Sequence, residues 1–114
     1  MPTPEPAIEI HAKDLAVLLE QKAPIVLLDC RETWEHATAH IEPCELIPMN
    51  TIPANLQRIE ALAEDKQLVV YCHHGVRSLN TVVWLRQQGI ANAVSMAGGI
   101  DRWSMEIDPT VARY

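Results

Sequence analysis

The chain has 114 residues, 48% of them hydrophobic and 21% charged, the size and balance of one compact folded unit (residues 1–114) and too short for two. Fifteen acidic against nine basic residues give a net charge of −6, and the basic residues form no run, which disfavours a nucleic-acid partner. No apolar run approaches the ~20 residues that span a bilayer, and three cysteines, an odd number, do not make a disulfide framework.

The first six residues, Met1-Pro2-Thr3-Pro4-Glu5-Pro6, read as an extended lead-in. They lack the basic start and apolar core of a secretory signal, so the expected location is the cytoplasm. Ile8 to Ile10 suits an edge strand. Leu15, Leu18 and Leu19 then share one helical face. Ile25-Val26-Leu27-Leu28 is apolar on both faces, the pattern of a strand buried in a parallel sheet. Trp34 to His40 fits a short helix and Leu46-Ile47 a weaker strand. Leu56, Ile59 and Leu62 form a second helical face, with Pro53 suited to a first helical turn. Leu68-Val69-Val70-Tyr71 repeats the buried-strand pattern. Leu79, Val82 and Val83 form a third helical face, and Gly89 stands where that helix should stop. Ala93-Val94-Ser95 supplies a last strand. Strands alternating with helices at short spacing predict an α/β fold, with a mostly parallel sheet of four or five strands and helices on both faces.

Ligands of open parallel sheets bind beyond the carboxyl ends of the strands. Two segments should lie there: Asp29-Cys30-Arg31-Glu32, and Cys72-His73-His74-Gly75-Val76-Arg77-Ser78. The second joins a rigid strand to a strong helix. A loop so placed can turn its N–H groups inward and, with the helix N-terminus, hold an anion. Such a field stabilises a thiolate and lowers the cysteine pKa from its free value of ~8.5. Gly75 permits a tight turn. Arg77 adds a fixed cation with bidentate donors suited to an oxyanion. The chemistry is that of an activated cysteine facing an anionic donor, and it requires neither metal nor cofactor.

Val69-Val70-Tyr71-Cys72-His73-His74-Gly75-Val76-Arg77-Ser78 resembles the active-site strand and loop of the rhodanese family. Leu28-Asp29-Cys30-Arg31-Glu32-Thr33-Trp34-Glu35 followed by His40-Ile41 resembles its upstream signature, and Ala97-Gly98-Gly99-Ile100-Asp101-Arg102-Trp103 its C-terminal element. The resemblance runs from Ile8 to Trp103. It implies a sulfurtransferase in which Cys72 takes sulfane sulfur from thiosulfate or a persulfide donor and passes it to cyanide or a thiol. His73, His74, Gly75, Val76, Arg77 and Ser78 match the loop around the persulfide, with Arg77 placed to meet the anionic donor. Asp29 and Arg31 match supporting positions. Ala39 replaces the usual Gly before His40, and Glu42-Pro43-Cys44 replaces a Pro-Gly-Ala.

Several other readings compete. Cys30 and Cys44 are best explained by packing; the alternative for Cys30 is that it approaches Cys72 and receives its sulfur or pairs with it. His36 and His40 have a zinc-compatible i, i+4 spacing but no clear third ligand, which favours a structural role. Trp34, Trp84 and Trp103 read as packing aromatics, and Gly98-Gly99 as a tight strand-to-helix turn. A cysteine phosphatase would space its pair as Cys-x5-Arg, whereas Cys72 and Arg77 are spaced Cys-x4-Arg, a smaller ring. A catalytically weak rhodanese-like module for protein interaction, or a carrier that hands sulfur to a partner protein, is the alternative function. Monomer and homodimer are left undecided.

Overall fold

The computed structural model describes residues 7–114; the expected lead-in at residues 1–6 lies outside them. Five strands, β1 (Glu9–Ile10), β2 (Ile25–Asp29), β3 (Glu45–Leu46), β4 (Gln67–Tyr71) and β5 (Val94–Met96), form one sheet in the order β1-β5-β4-β2-β3. Every pairing is parallel. Five helices cover it: α1 (Ala12–Glu20), α2 (Thr33–Thr38), α3 (Leu56–Ala63), α4 (Val76–Gln87) and α5 (Gly99–Glu106). The predicted α/β architecture is observed.

The alternation of side chains along β2 and β4 divides the interior in two. Val26, Leu28, Leu68 and Val70 face α3 and α4, where Ile59, Val82 and Leu85 complete one core. Leu27, Val69 and Tyr71 face α1 and α5, where Ala12, Leu15, Ile100 and Trp103 complete the other. A strand buried on both sides has no polar face to show, which is why these segments are apolar throughout.

Two expectations are corrected and a third is refined. Val83 is 41% exposed, because the buried face of α4 runs through Ser78, Thr81, Val82 and Leu85 instead. Trp34 is 62% exposed on α2 and meets the Tyr114 ring edge-on, 5.9 Å between centroids, rather than entering a core. Pro53 opens a short 3-10 turn, Pro53–Asn55, that leads into α3. Gly89, with φ of 99°, ends α4 as expected.

The chain leaves β2 toward β3 at one edge of the sheet and leaves β4 toward β5 on the other side. The switch point therefore lies between β2 and β4, where a crevice opens beyond the strand ends. Cys30 and Arg31 follow β2, and Cys72 follows β4. No helix among the described residues is long and apolar enough to cross a membrane.

Candidate active site

Cys72 sits at the first position after β4, 1% exposed, with its side chain on the α3/α4 side of the sheet. Its sulfur accepts the Gly75 N–H at 3.1 Å and the Ser78 N–H at 3.3 Å, and lies 3.4 Å from the Ser78 hydroxyl. The Ser78 hydroxyl in turn meets Ser95 Oγ, fully buried on β5, at 2.7 Å. The same Ser78 hydroxyl donates to the Gly75 carbonyl at 3.2 Å, which ties the helix start to the loop. Two amide donors thus converge on a single sulfur atom, with the Ser78 hydroxyl beside it.

Gly75 and Gly99 make this turn possible. Gly75 has φ of 102°, and a Cβ there would stand 3.1 Å from the Gly98 nitrogen. Gly99 has φ of 62°, and a Cβ would fall 2.5 Å from the Cys72 carbonyl oxygen. Without that side chain, the start of α5 presses against the loop: the Ile100 and Asp101 amides donate to the carbonyls of Cys72 and His73 at 2.9 and 3.1 Å. The loop is held from behind by the first turn of a helix.

Cys72 is held well below the usual thiol range, at about 4. The largest cause is the Cys30 thiol donating to it; burial opposes the shift, and the Ser78 hydroxyl and the Ser78 and Gly75 amides reinforce it. Cys30 is pushed in the other direction, because its hydrogen is engaged by Cys72 and it is itself buried. One thiolate and one thiol therefore share the β2/β4 strand ends.

The remaining sequence-predicted residues divide into two groups. Arg77 directs Nη1 and Nη2 at Glu35 Oε1 and Oε2, 2.7 and 2.9 Å, while its side chain stays 37% exposed. Its bidentate geometry is thus engaged by a protein carboxylate. His73 is half-buried and stacks on Tyr114 at 3.9 Å; His74 and Val76 are exposed. Asp29 and Arg31 lie on the opposite side of the sheet from the Cys72 sulfur. Arg31 is fully buried, and its Nε and Nη2 donate to the Asp29 carboxylate at 2.8 and 2.7 Å. Nη2 also reaches the Ala39 carbonyl and Nη1 the Tyr114 hydroxyl. This pair anchors the loop after β2 and does not touch the sulfur.

Glu35, Ser95 and Tyr114 are missed by sequence reasoning. Glu35 is 3% exposed and joins Arg77 to the Tyr114 hydroxyl, which donates to Oε2 at 2.6 Å. The Arg77 bond is the main cause that holds its carboxyl down at about 2. The available signal was the pattern Glu32-x-x-Glu35, which forms a capping box on α2. Cys44 is half-buried, with its sulfur 3.5 Å from the Tyr71 hydroxyl, on the other side of the sheet from Cys72. His36 pairs with Asp29, and His40 with the His36 carbonyl and Glu42. Among the described residues, no group of three or more His, Cys, Asp or Glu side chains is placed to hold a metal ion.

A model of the rhodanese-like domain matches residues 11–106. The chain belongs to the rhodanese-like family. It is 32% identical to a sulfurtransferase of Allochromatium vinosum, over 91% of this chain and 94% of that one. The structure of the human single-domain sulfurtransferase TSTD1 superposes with a TM-score of 0.77 at 26% identity, covering 89% of this chain and 98% of that one. Relatives of another kind are larger. The chain is 33% identical to the maize adenylyltransferase and sulfurtransferase MOCS3-2 but spans only 24% of its length. Relatives named sulfurtransferases support a sulfurtransferase-type enzyme as the class.

Proposed function

We propose that the chain, as a single rhodanese-like domain, moves sulfane sulfur from thiosulfate or a persulfide donor to a thiol or cyanide through a persulfide on Cys72. The observation that carries this reading is a cysteine sulfur receiving the Gly75 and Ser78 amides at a sheet switch point. A thiolate in that position attacks the outer sulfur of the donor, the S–S bond to the departing sulfite or thiolate breaks, and the loop amides hold the new charge. An acceptor then attacks the outer sulfur and regenerates the Cys72 thiolate. His73, His74 and Val76 border the route to the buried sulfur. Arg77 offers its unengaged donors to the anion at the mouth, and Asp29 with Arg31 keeps the β2 loop in place.

The test compares thiosulfate-to-cyanide transfer by the wild-type protein and by Cys72→Ser. Activity in the first and its loss, with the fold retained, in the second is expected. Equal rates would remove Cys72 as nucleophile, and activity toward a phosphomonoester instead of thiosulfate would replace the reading altogether. Delivery to a partner protein is the second reading, favoured by the MOCS3-2 likeness, where an adenylyltransferase and a sulfurtransferase share one chain. The chemistry at Cys72 is the same in both.

A further inference from the structure

The buried thiol of Cys30 is not the group that takes sulfur from a donor, yet it occupies a distinctive place. Asp29 and Tyr71 are register partners across the parallel β2/β4 pair, and the ladder continues one step with the Cys30 amide donating to the Tyr71 carbonyl at 3.1 Å. Cys30 and Cys72 are therefore the next pair, and register partners point to the same face. Both belong to the core on the α3/α4 side, and each is 1% exposed. Parallel neighbours stand about 4.8 Å apart, within the Cα separation of about 4.4 to 6.8 Å that a disulfide spans. The Cys30 thiol donates to the Tyr71 carbonyl at 3.5 Å, the same carbonyl that accepts the Cys30 amide, which holds its sulfur at the end of β4 next to Cys72. A packing role alone explains the burial but not two cysteines placed side by side, on one face, at the reacting strand end.

Resting on the Cys72 persulfide reading, we propose that Cys30 is an internal resolving cysteine, which discharges that persulfide by forming a Cys30–Cys72 disulfide and releasing sulfide. In this step Cys30 Sγ attacks the inner sulfur, Sγ of Cys72. The Sγ–Sδ bond of the persulfide breaks, and its electron pair leaves with the outer sulfur. The proton of Cys30 goes to that sulfur, which departs as hydrosulfide. Cys30 Sγ is oxidised from thiol to disulfide level, Cys72 Sγ stays at that level, and the departing outer sulfur is reduced to sulfide, so no outside oxidant enters. Two equivalents of a low-molecular-weight thiol then reduce the disulfide and restore the pair. A loaded chain that finds no acceptor thus empties itself and rests as a disulfide, which makes its carrier state dependent on thiol supply. Cys44 cannot take the same part, because its sulfur lies against Tyr71 on the other side of the sheet.

The reduced full chain, freed of thiol, is mixed with thiosulfate, and sulfite, sulfide and the intact mass are followed together. Sulfite reports loading of Cys72 and sulfide reports discharge. The expected result is equal amounts of both, one per chain, and a final mass short of two hydrogens. A non-reducing digest should join the peptides of Cys30 and Cys72. Cys30→Ser and Cys30→Ala, in which Cys72 is less ionised, should load more slowly but still release one sulfite per chain and retain the added sulfur with loss of sulfide release, while Cys44→Ser behaves as wild type. Sulfite without sulfide from the wild type, or undiminished sulfide from both Cys30 variants, would overturn the resolving role and leave the persulfide reading standing. Absence of sulfite from the wild type would instead overturn the persulfide reading, and this proposal with it.

Discussion

At the scale of single residues, the state of Cys72 is a contest between burial and hydrogen bonding. Burial alone would keep the thiol protonated, as it does for Cys44, whose pKa is raised chiefly by desolvation. Cys72 goes the other way because Cys30, Ser78 and Gly75 all donate to its sulfur. The thiolate absorbance in the ultraviolet is therefore expected to persist from neutral pH down to about 4. Cys30→Ala removes the leading donor, and the titration midpoint should move upward toward the free-cysteine range of ~8.5. An unmoved midpoint would mean that the loop amides alone set the charge. The adjacency of Cys30 and Cys72 is invisible without strand register, since the two residues lie far apart in the chain. Sequence motifs single out Cys72 but rank Cys30 as packing.

At the scale of elements, two contacts hold the active loop. The first is the α5 start pressed against the carbonyls of Cys72 and His73, which requires Gly99. Gly99→Ala combines a backbone clash with a left-handed φ and should destabilise the fold by about 2 to 4 kcal/mol in urea unfolding. Sulfur uptake should fall with it. The second contact joins α2 to α4 through Glu35 and Arg77. The Glu35 carboxyl is depressed in the fold, so the ionised form favours folding. Its contribution is complete above its ordinary value of 4.5 and is lost as pH falls toward about 2. Melting temperature in Glu35→Gln should accordingly vary less with pH across that window than in the wild type. The motif Gly98-Gly99 was legible as a turn, but the object it approaches was not. Arg77 was legible as a site cation, whereas its pairing with Glu35 depends on how α2 and α4 dock, which no local pattern records.

At the scale of the molecule, one parallel sheet separates two hydrophobic cores that share only the strands. Leu15 on α1 and Leu85 on α4 are each fully buried, one in each core. Leu15→Ala and Leu85→Ala should each cost about 2 to 5 kcal/mol. Having no shared partners, their effects should add to within about 0.5 kcal/mol in the double variant, measured by denaturant unfolding. Strong coupling would mean that the sheet transmits strain between its faces. Most of this architecture is readable in advance, because strands buried on both faces leave unmistakable apolar runs at Ile25 to Leu28 and Leu68 to Tyr71. Two-residue edge strands are harder: β3 covers Glu45–Leu46, one residue before the apolar pair that suggests it. Its place is set by pairing with β2 rather than by its own side chains. Trp34 shows the opposite limit, since a large aromatic on a six-residue helix implies burial until the helix is docked with that face outward.

The central claim is that Cys72 carries sulfur. Its most direct test is intact-protein mass spectrometry on a sample quenched promptly after mixing with thiosulfate, followed by peptide mapping. One added sulfur atom, confined to the peptide of Cys72, is the predicted result. An unmodified chain with no sulfite in solution, or an added sulfur that maps to Cys44, would contradict it.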